Sequence, residues 1–185
     1  PEMNPVAEDL SGSALLTWNQ VADAKGYLLE RAGQDGAFEE IARLTGTEST
    51  LATDSSLAPG LEYQYRVAAF QELDGATYPG LYSQPVTGGI LPRTDLPAPK
   101  LLEAVPVDNT NARLSWEAVP GADGYTLFAV NPESHSFRML QSTASTTLQH
   151  TEESVGYSHY YALAAYKTMD GKHTYGSRSE PVGLF

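Results

Sequence analysis

The sequence lacks several features that define common classes of protein. No cysteine occurs among its 185 residues, which excludes disulfides, thiolate nucleophiles and cysteine-ligated metal sites, and which leaves the redox compartment undetermined. Long apolar runs are also missing: the longest, Tyr160 to Tyr166, has seven residues, whereas a membrane span needs about 20. The sequence therefore predicts no membrane insertion.

Basic residues are scarce. Eleven Lys and Arg stand against 23 Asp and Glu, for a net charge of -12, which repels phosphate backbones and anionic membrane surfaces. We therefore expect no nucleic-acid partner. The 41% hydrophobic and 18% charged composition is globular. Because the chain opens with Pro1 and not with a basic-then-apolar signal, we expect a soluble piece of a longer protein.

An internal repeat spans the chain. Residues 14–27 (ALLTWNQVADAKGY) align without gaps on residues 112–125 (ARLSWEAVPGADGY), 98 positions later. Farther along, residues 67–70 match residues 163–166 at a spacing of 96. Repetition at this length indicates two copies of one structural unit.

The repeat sets the expected domain boundaries. Residues 90–99 contain three prolines, which fix φ and favour an extended chain over a flexible coil. We predict a first domain over residues 1–91, a semi-rigid proline-containing linker over residues 92–98, and a second domain over residues 99–185.

The apolar residues have a period of two. In residues 14–18 and in their copy, every second side chain (Ala, Leu, Trp) is the same in both units, which predicts a strand with one buried face. No segment shows a helical period. The pairs Asp74-Gly75 and Asp170-Gly171 predict type I′ hairpin turns. We predict an all-β fold of two tandem seven-stranded antiparallel Greek-key sandwiches.

The strand tryptophan, the following Gly-Tyr pair and the run from Leu57 to Val67 (LAPGLEYQYRV) together resemble a fibronectin type III domain, an immunoglobulin-like sandwich. The resemblance covers both units. It implies that Tyr63 forms a tyrosine corner, with its hydroxyl bonded to the backbone of the preceding loop. The core residues that we expect are Trp18, Tyr27, Tyr65, Val67, Trp116, Tyr125, Tyr161 and Leu163.

Two further expectations concern the indole N–H groups of the core and His159. Both tryptophans lie on predicted buried strand faces, and we expect each indole N–H to find an acceptor. In the second unit the corner proline is missing and His159 stands where the corner tyrosine belongs. We expect a neutral imidazole there to donate a hydrogen bond to a backbone carbonyl, as a weaker substitute.

Catalytic and metal-binding motifs are weak. Ser158 lies in GYSHY, which lacks the second glycine and the strand-turn-helix setting of a nucleophile elbow, so we expect no enzyme and no cofactor. The four histidines, at 135, 150, 159 and 173, never fall at zinc spacings, and we expect no structural metal. Calcium at Glu39 and Glu40, or at Glu152 and Glu153, stays open, although no Asp-x-Asp-x-Asp loop is present.

Aromatic residues cluster at the predicted hairpins between the last two strands of each unit. Tyr78, Tyr82, His173 and Tyr175 lie in or just after these hairpins, where sandwich modules commonly bind. Their rings either stack on a glycan or an extracellular protein, or cover the sheet edge and pack against the linker.

The segments WNQVADAKGY and WEAVPGADGY resemble the fibronectin type III repeats of secreted or surface-attached bacterial proteins. This implies an extracellular or cell-surface location, with flanking domains of the same polypeptide as partners. The leading hypothesis is a non-catalytic semi-rigid spacer or scaffold. The alternative is a carbohydrate- or protein-binding adhesion module that uses the hairpin aromatics.

Overall fold

The computed structural model describes residues 1–108, 110–151 and 159–184. It divides into two compact units, Pro1–Ile90 and Leu91–Phe185. Each unit consists of antiparallel strands. Over the described ranges there is no helix long and apolar enough to cross a bilayer.

The first unit, all of whose residues are described, has two sheets. The strands are β1 Ala7–Asp9, β2 Ala14–Thr17, β3 Gly26–Ala32, β4 Phe38–Thr45, β5 Leu51–Asp54, β6 Glu62–Leu73, β7 Ala76–Pro79 and β8 Val86–Gly89. One sheet has the order β1-β2-β5, and the other runs β4-β3-β6, with β7 and β8 pairing along different parts of β6.

The second unit repeats this arrangement. The described strands are β9 Leu101–Pro106, β10 Asn111–Trp116, β11 Gly124–Val130, β12 Ser136–Thr143, β13 Thr147–Thr151, β14 His159–Met169, β15 Lys172–Arg178 and β16 Val182–Leu184. One sheet has the order β9-β10-β13, and the other runs β12-β11-β14, with β15 and β16 both pairing β14. The predicted tandem sandwich is confirmed.

The seventh strand of each sandwich is split in two, which the sequence did not indicate. In the first unit the chain between β7 and β8 stays attached through Ser83, whose N–H donates to Val67 O at 2.8 Å. The Ser83 hydroxyl in turn accepts the Val67 N–H at 3.1 Å. Ser179 does the same with Leu163 in the second unit. A serine side chain thus continues the ladder where the strand bends away.

The hairpin turns have the backbone geometry that their sequences predict. Asp74 and Gly75 have φ values of 51° and 78°, and Asp170 and Gly171 have 50° and 76°. These are the positive φ angles that a type I′ turn requires at both central positions. The turns join β6 to β7 and β14 to β15.

Each sandwich encloses its own core. The first contains Trp18, Tyr27, Tyr65 and Val67, and the second contains Trp116, Tyr125, Tyr161 and Leu163, all of them buried. The tryptophan packs against the tyrosine of the Gly-Tyr pair in each unit, tilted at 59° with ring centroids 5.6 Å apart in the first and edge to face at 5.2 Å in the second. Such aromatic pairs stabilise the fold by about 0.5–1.5 kcal/mol beyond the contribution of the area that they bury.

The expectation that each indole N–H finds an acceptor is wrong. Neither Trp18 Nε1 nor Trp116 Nε1 has a hydrogen-bond partner among the described residues. The rings lie among apolar side chains, and the nearby Tyr27 hydroxyl is already committed, accepting the Val21 N–H and donating to Thr47 O. Packing, and not hydrogen bonding, therefore fixes the two indoles.

Of residues 92–98, which the sequence predicts as a linker, residues 92–96 pack against the second unit. The Tyr175 N–H donates to Pro92 O, and the Thr94 N–H donates to Tyr175 O, each at 2.8 Å. Arg93 and Tyr175 thereby form a parallel bridge. Leu96 is 5% exposed and belongs to the core of the second unit. The segment therefore lies along β15 as an added edge strand.

Candidate functional site

The aromatic residues predicted to bind a ligand fall in different units and in different environments. In the first unit, Tyr78 lies on β7 opposite Gln71 of β6 and is 56% exposed. Tyr82 follows in the chain between β7 and β8, where its hydroxyl donates to Glu30 Oε1 at 2.6 Å. No contact brings Tyr78 and Tyr82 together among the interactions of the described residues.

Tyr82 belongs to a stacked cluster on the outer face of the first unit's larger sheet. The Arg66 guanidinium lies between the rings of Phe38 and Tyr82, 4.0 Å and 4.3 Å from their centroids. It is also paired with Glu30 at 2.6 Å. Glu30 and Arg66 are direct cross-strand partners on β3 and β6, which puts their side chains on one face.

The electrostatics of this cluster favour a closed, internally satisfied arrangement. Partial burial, together with the hydrogen bond to Glu30, raises the pKa of Tyr82 to about 12. The glutamate neutralises the arginine, and the guanidinium covers one face of the Phe38 ring and one face of the Tyr82 ring. Tyr82 therefore links β3 and β6 to the chain between β7 and β8 through Glu30 and Arg66.

In the second unit the predicted binding residues pack against each other. His173 stacks on Tyr166 with ring centroids 3.8 Å apart. Tyr175 is 6% exposed and lies edge to face with Phe128 at 6.1 Å. Burial raises the pKa of Tyr175. These contacts and the bridge to Arg93 match the packing interpretation of Tyr175.

The corner tyrosine of the first unit has the geometry that the resemblance implies. The hydroxyl of Tyr63 accepts the Ala58 N–H at 3.1 Å, and the Arg31 guanidinium lies 5.2 Å from its ring centroid. In the second unit His159 is half-buried and stacks near Tyr161, with centroids 6.4 Å apart. The loop before it, residues 152–158, lies outside the described residues, so the predicted substitute corner stays a prediction.

A buried polar cluster in the first unit was not predicted. Asp54, at the end of β5, is 6% exposed. Its carboxylate accepts hydrogen bonds from Arg31 at 2.7 Å and from the Tyr65 hydroxyl at 3.1 Å. Ser56 adds its N–H at 3.0 Å and its hydroxyl at 2.7 Å. The cluster ties β3, β5 and β6, and so both sheets, together.

The sequence carries one signal for this cluster. Alternation along β3 puts Arg31 on the same face as Tyr27 and Leu29, which are buried. A charged residue with inward parity needs a counter-charge inside the fold. The partner itself is supplied by Asp54, whose position depends on strand pairing and not on local pattern.

The candidate metal ligands do not converge in the described ranges. No group of three or more His, Asp or Glu residues there is arranged to hold a metal ion. Glu40 is paired with Arg43 at 3.0 Å on the exposed strand β4. Glu152, Glu153 and Ser158 lie outside the described residues.

Two solved structures, each with several domains in tandem, are similar to this chain. The FN1-FN3 domains of chicken CNTN1 are 14% identical with a TM-score of 0.44, and the alignment covers 98% of this chain. This chain spans 65% of the length of that structure. A two-domain fibronectin type III segment from chicken tenascin is 20% identical with a TM-score of 0.35, covering 98% of this chain and 94% of the tenascin segment. No family model matches.

Proposed function

We propose that this chain is a non-catalytic tandem of two fibronectin type III-like units that acts as a semi-rigid spacer or scaffold in a larger extracellular or cell-surface protein. Its partners are then the flanking domains of the same polypeptide. The proposal includes that the repeats are of the type found in secreted or surface-attached bacterial proteins. Nucleic acid and the membrane interior are not partners.

The observation that carries the proposal is that three of the four hairpin aromatic residues contact other side chains of their own unit. Tyr82 is held by Glu30 and Arg66, His173 stacks on Tyr166, and Tyr175 is buried. Contacts of this kind stabilise a sheet, and they account for these three aromatic residues without a ligand. The docked segment 92–96 supports the same interpretation, because it removes free length from the connection between the repeats.

The distance distribution between the two units tests this proposal. Since the chain has no cysteine, the substitutions Ser55→Cys and Lys172→Cys give two unique spin-label sites, one exposed position in each unit. Pulsed electron resonance is expected to give one narrow distance distribution. A broad distribution, of the kind that two globules on a free tether produce, would overturn the spacer function.

An adhesion function has one observation in its favour, the exposed ring of Tyr78. In this alternative the module binds a glycan or an extracellular protein by stacking on that ring. Labelled protein is screened on a glycan array and on a panel of matrix proteins, with Tyr78→Ala alongside Leu102→Ala, a change at an exposed apolar residue of the second unit. A signal lost only in Tyr78→Ala supports adhesion, and silence across the panel favours the spacer.

A further inference from the structure

The same sheet edge is covered in one unit and open in the other. In the second unit, the outer edge of β15 is paired with the segment Leu91 to Leu96. The contacts are Tyr175 N–H to Pro92 O, Thr94 N–H to Tyr175 O and Ser177 N–H to Leu96 O, at 2.8 to 2.9 Å. This added strand runs parallel to β15.

Gly176 is the position that admits the added strand. A Cβ at this residue would lie 2.5 Å from Leu96 O and 2.6 Å from Leu96 Cβ. Real Cβ atoms do not approach other heavy atoms that closely, so the leucine and a side chain at position 176 exclude each other. Leu96 passes over the glycine to reach the core.

The first unit repeats the glycine without the strand. At the spacing of 96, Tyr175, Gly176 and Ser177 correspond to Pro79, Gly80 and Leu81. A Cβ at Gly80 would meet only Ala69 O, at 3.3 Å, among the described residues. Leu81 is 92% exposed and Tyr78 is 56% exposed. Exposed apolar residues on an uncovered strand edge mark a surface available for pairing.

The backbone at this edge is oriented to pair. The Gly80 N–H donates inward to Ala69 O at 2.8 Å, so alternation turns the carbonyl of Pro79 and the N–H of Leu81 outward. These are the counterparts of the Tyr175 carbonyl and the Ser177 N–H that bind Leu91 to Leu96. Pro79 has no N–H, so it lacks the counterpart of the Tyr175 N–H, which donates to Pro92 O. Two of the three hydrogen bonds of the second unit can therefore form at this edge.

The charge of the first unit indicates which kind of strand this open edge would bind. The first unit carries 13 acidic and 4 basic residues, net -9; Glu72 lies on β6 opposite β7, and Asp74 lies in the turn between them. The segment that covers β15 contains Arg93, Asp95 and the leucine anchor, Leu96, so its side chains carry no net charge. A strand with the same leucine complements the open edge in shape, and its basic residue is attracted by the acidic first unit.

We propose that the edge from Tyr78 to Leu81 docks an extended segment of a partner protein, which pairs in parallel with it and sets a leucine over Gly80. This is strand addition, and it goes beyond the spacer function. The leucine anchors the segment, the basic residue steers it, and the Leu81 N–H and the Pro79 carbonyl fix its register.

The probe is a free peptide with the sequence LPRTDLPA, which is that of residues 91–98. It is titrated into the full chain while the Leu81 amide resonance is followed. A saturable shift at Leu81 is expected. It should be weaker by about tenfold for a peptide with aspartate in place of the second leucine, and likewise for the protein variant Gly80→Val. Gly80 does not have a positive φ, so its backbone conformation is open to valine, whose Cβ would lie 3.3 Å from Ala69 O. The amide resonances of β3 and β6 report that the fold of the first unit is intact.

A second protein carries the same eight residues joined ahead of Pro1, at the spacing that separates them from Pro99 in the second unit. If the free peptide shifts Leu81, the proposal holds. If only the joined segment slows Leu81 amide exchange, the occupant is a segment of the same polypeptide and the partner assignment is overturned. If neither changes Leu81, the edge is not a docking surface.

Discussion

Replacing Arg31 by methionine is expected to destabilise the first unit selectively. Methionine keeps much of the aliphatic stem but removes the cation that lies 2.7 Å from the buried Asp54 carboxylate. Breaking one side of a buried ion pair costs about 3–5 kcal/mol. We expect the lower end, about 3 kcal/mol, because Ser56 and Tyr65 still donate to the carboxylate.

The loss should depend on pH. Burial by itself raises the pKa of Asp54, but the hydrogen bonds from Ser56 and Arg31 and the charge of Arg31 hold that pKa below its ordinary value. Since the folded pKa is depressed, the stabilisation is present above the unfolded pKa of about 3.9. It is lost as the pH falls through the folded value. The free energies of unfolding of parent and variant therefore converge on acidification.

Each unit reports on itself through one tryptophan, Trp18 in the first and Trp116 in the second. Fluorotryptophan labelling gives one fluorine resonance per unit, and urea unfolding is followed for each resonance near pH 7 and near pH 2, below the unfolded pKa of about 3.9. The matched control is Arg43→Met, which breaks the solvent-exposed pair with Glu40. Because exposed pairs contribute little, it is expected to leave the midpoint of the first unit unchanged within error.

Two results would refute this reasoning. One is a loss in Arg31→Met no larger than in the control at neutral pH, which would mean that the Arg31 charge is not needed by the carboxylate. The other is an equal loss at both pH values, which would mean that lost packing of the side chain, and not its charge, causes the effect.

Three further predictions use the same unfolding assay or a simple titration. Tyr63→Phe removes the acceptor of the Ala58 N–H and should cost the first unit about 1 kcal/mol; an unchanged midpoint would show that the corner bond contributes nothing. Gly75→Ala places a side chain at φ 78° with no neighbour within 4 Å, so a loss of about 1 kcal/mol from backbone strain alone is expected, and a stabilised hairpin would contradict the turn type. Burial and the hydrogen bond to Glu30 raise the pKa of Tyr82 to about 12, so Tyr82→Phe should remove a phenol that titrates near pH 12 in an alkaline absorbance titration. The stabilisation that the neutral phenol gives to the folded state is present below about pH 10. It is lost as the pH rises through the folded pKa.

The sequence predicted what depends on local pattern. Alternation in residues 14–18 and in their copy identified strands with a buried face, and Asp-Gly pairs located turns whose φ values have the required sign. The repeat predicted that both units share one fold. Each of these features rests on the period of two and on turn chemistry, which act over a few residues.

Features that depend on contacts between distant segments were not predictable in the same way. Leu96 reads as part of a proline-rich linker, yet it reaches the core because Gly176, far along the chain, leaves room for it. Tyr175 reads as a hairpin aromatic, but the segment that covers β15 and the neighbouring rings bury it. Only strand pairing in three dimensions brings these residues together.

The segment Leu91 to Leu96 is built into the second unit as an added strand along β15. Amide hydrogen exchange at Thr94 tests this packing, because the Thr94 N–H donates to Tyr175 O at 2.8 Å. Exchange at least about 100-fold slower than in an unstructured chain is expected, and this protection should be lost in Leu96→Asp. Exchange at the unstructured rate in the parent protein would contradict the docked segment and the spacer function that draws on it.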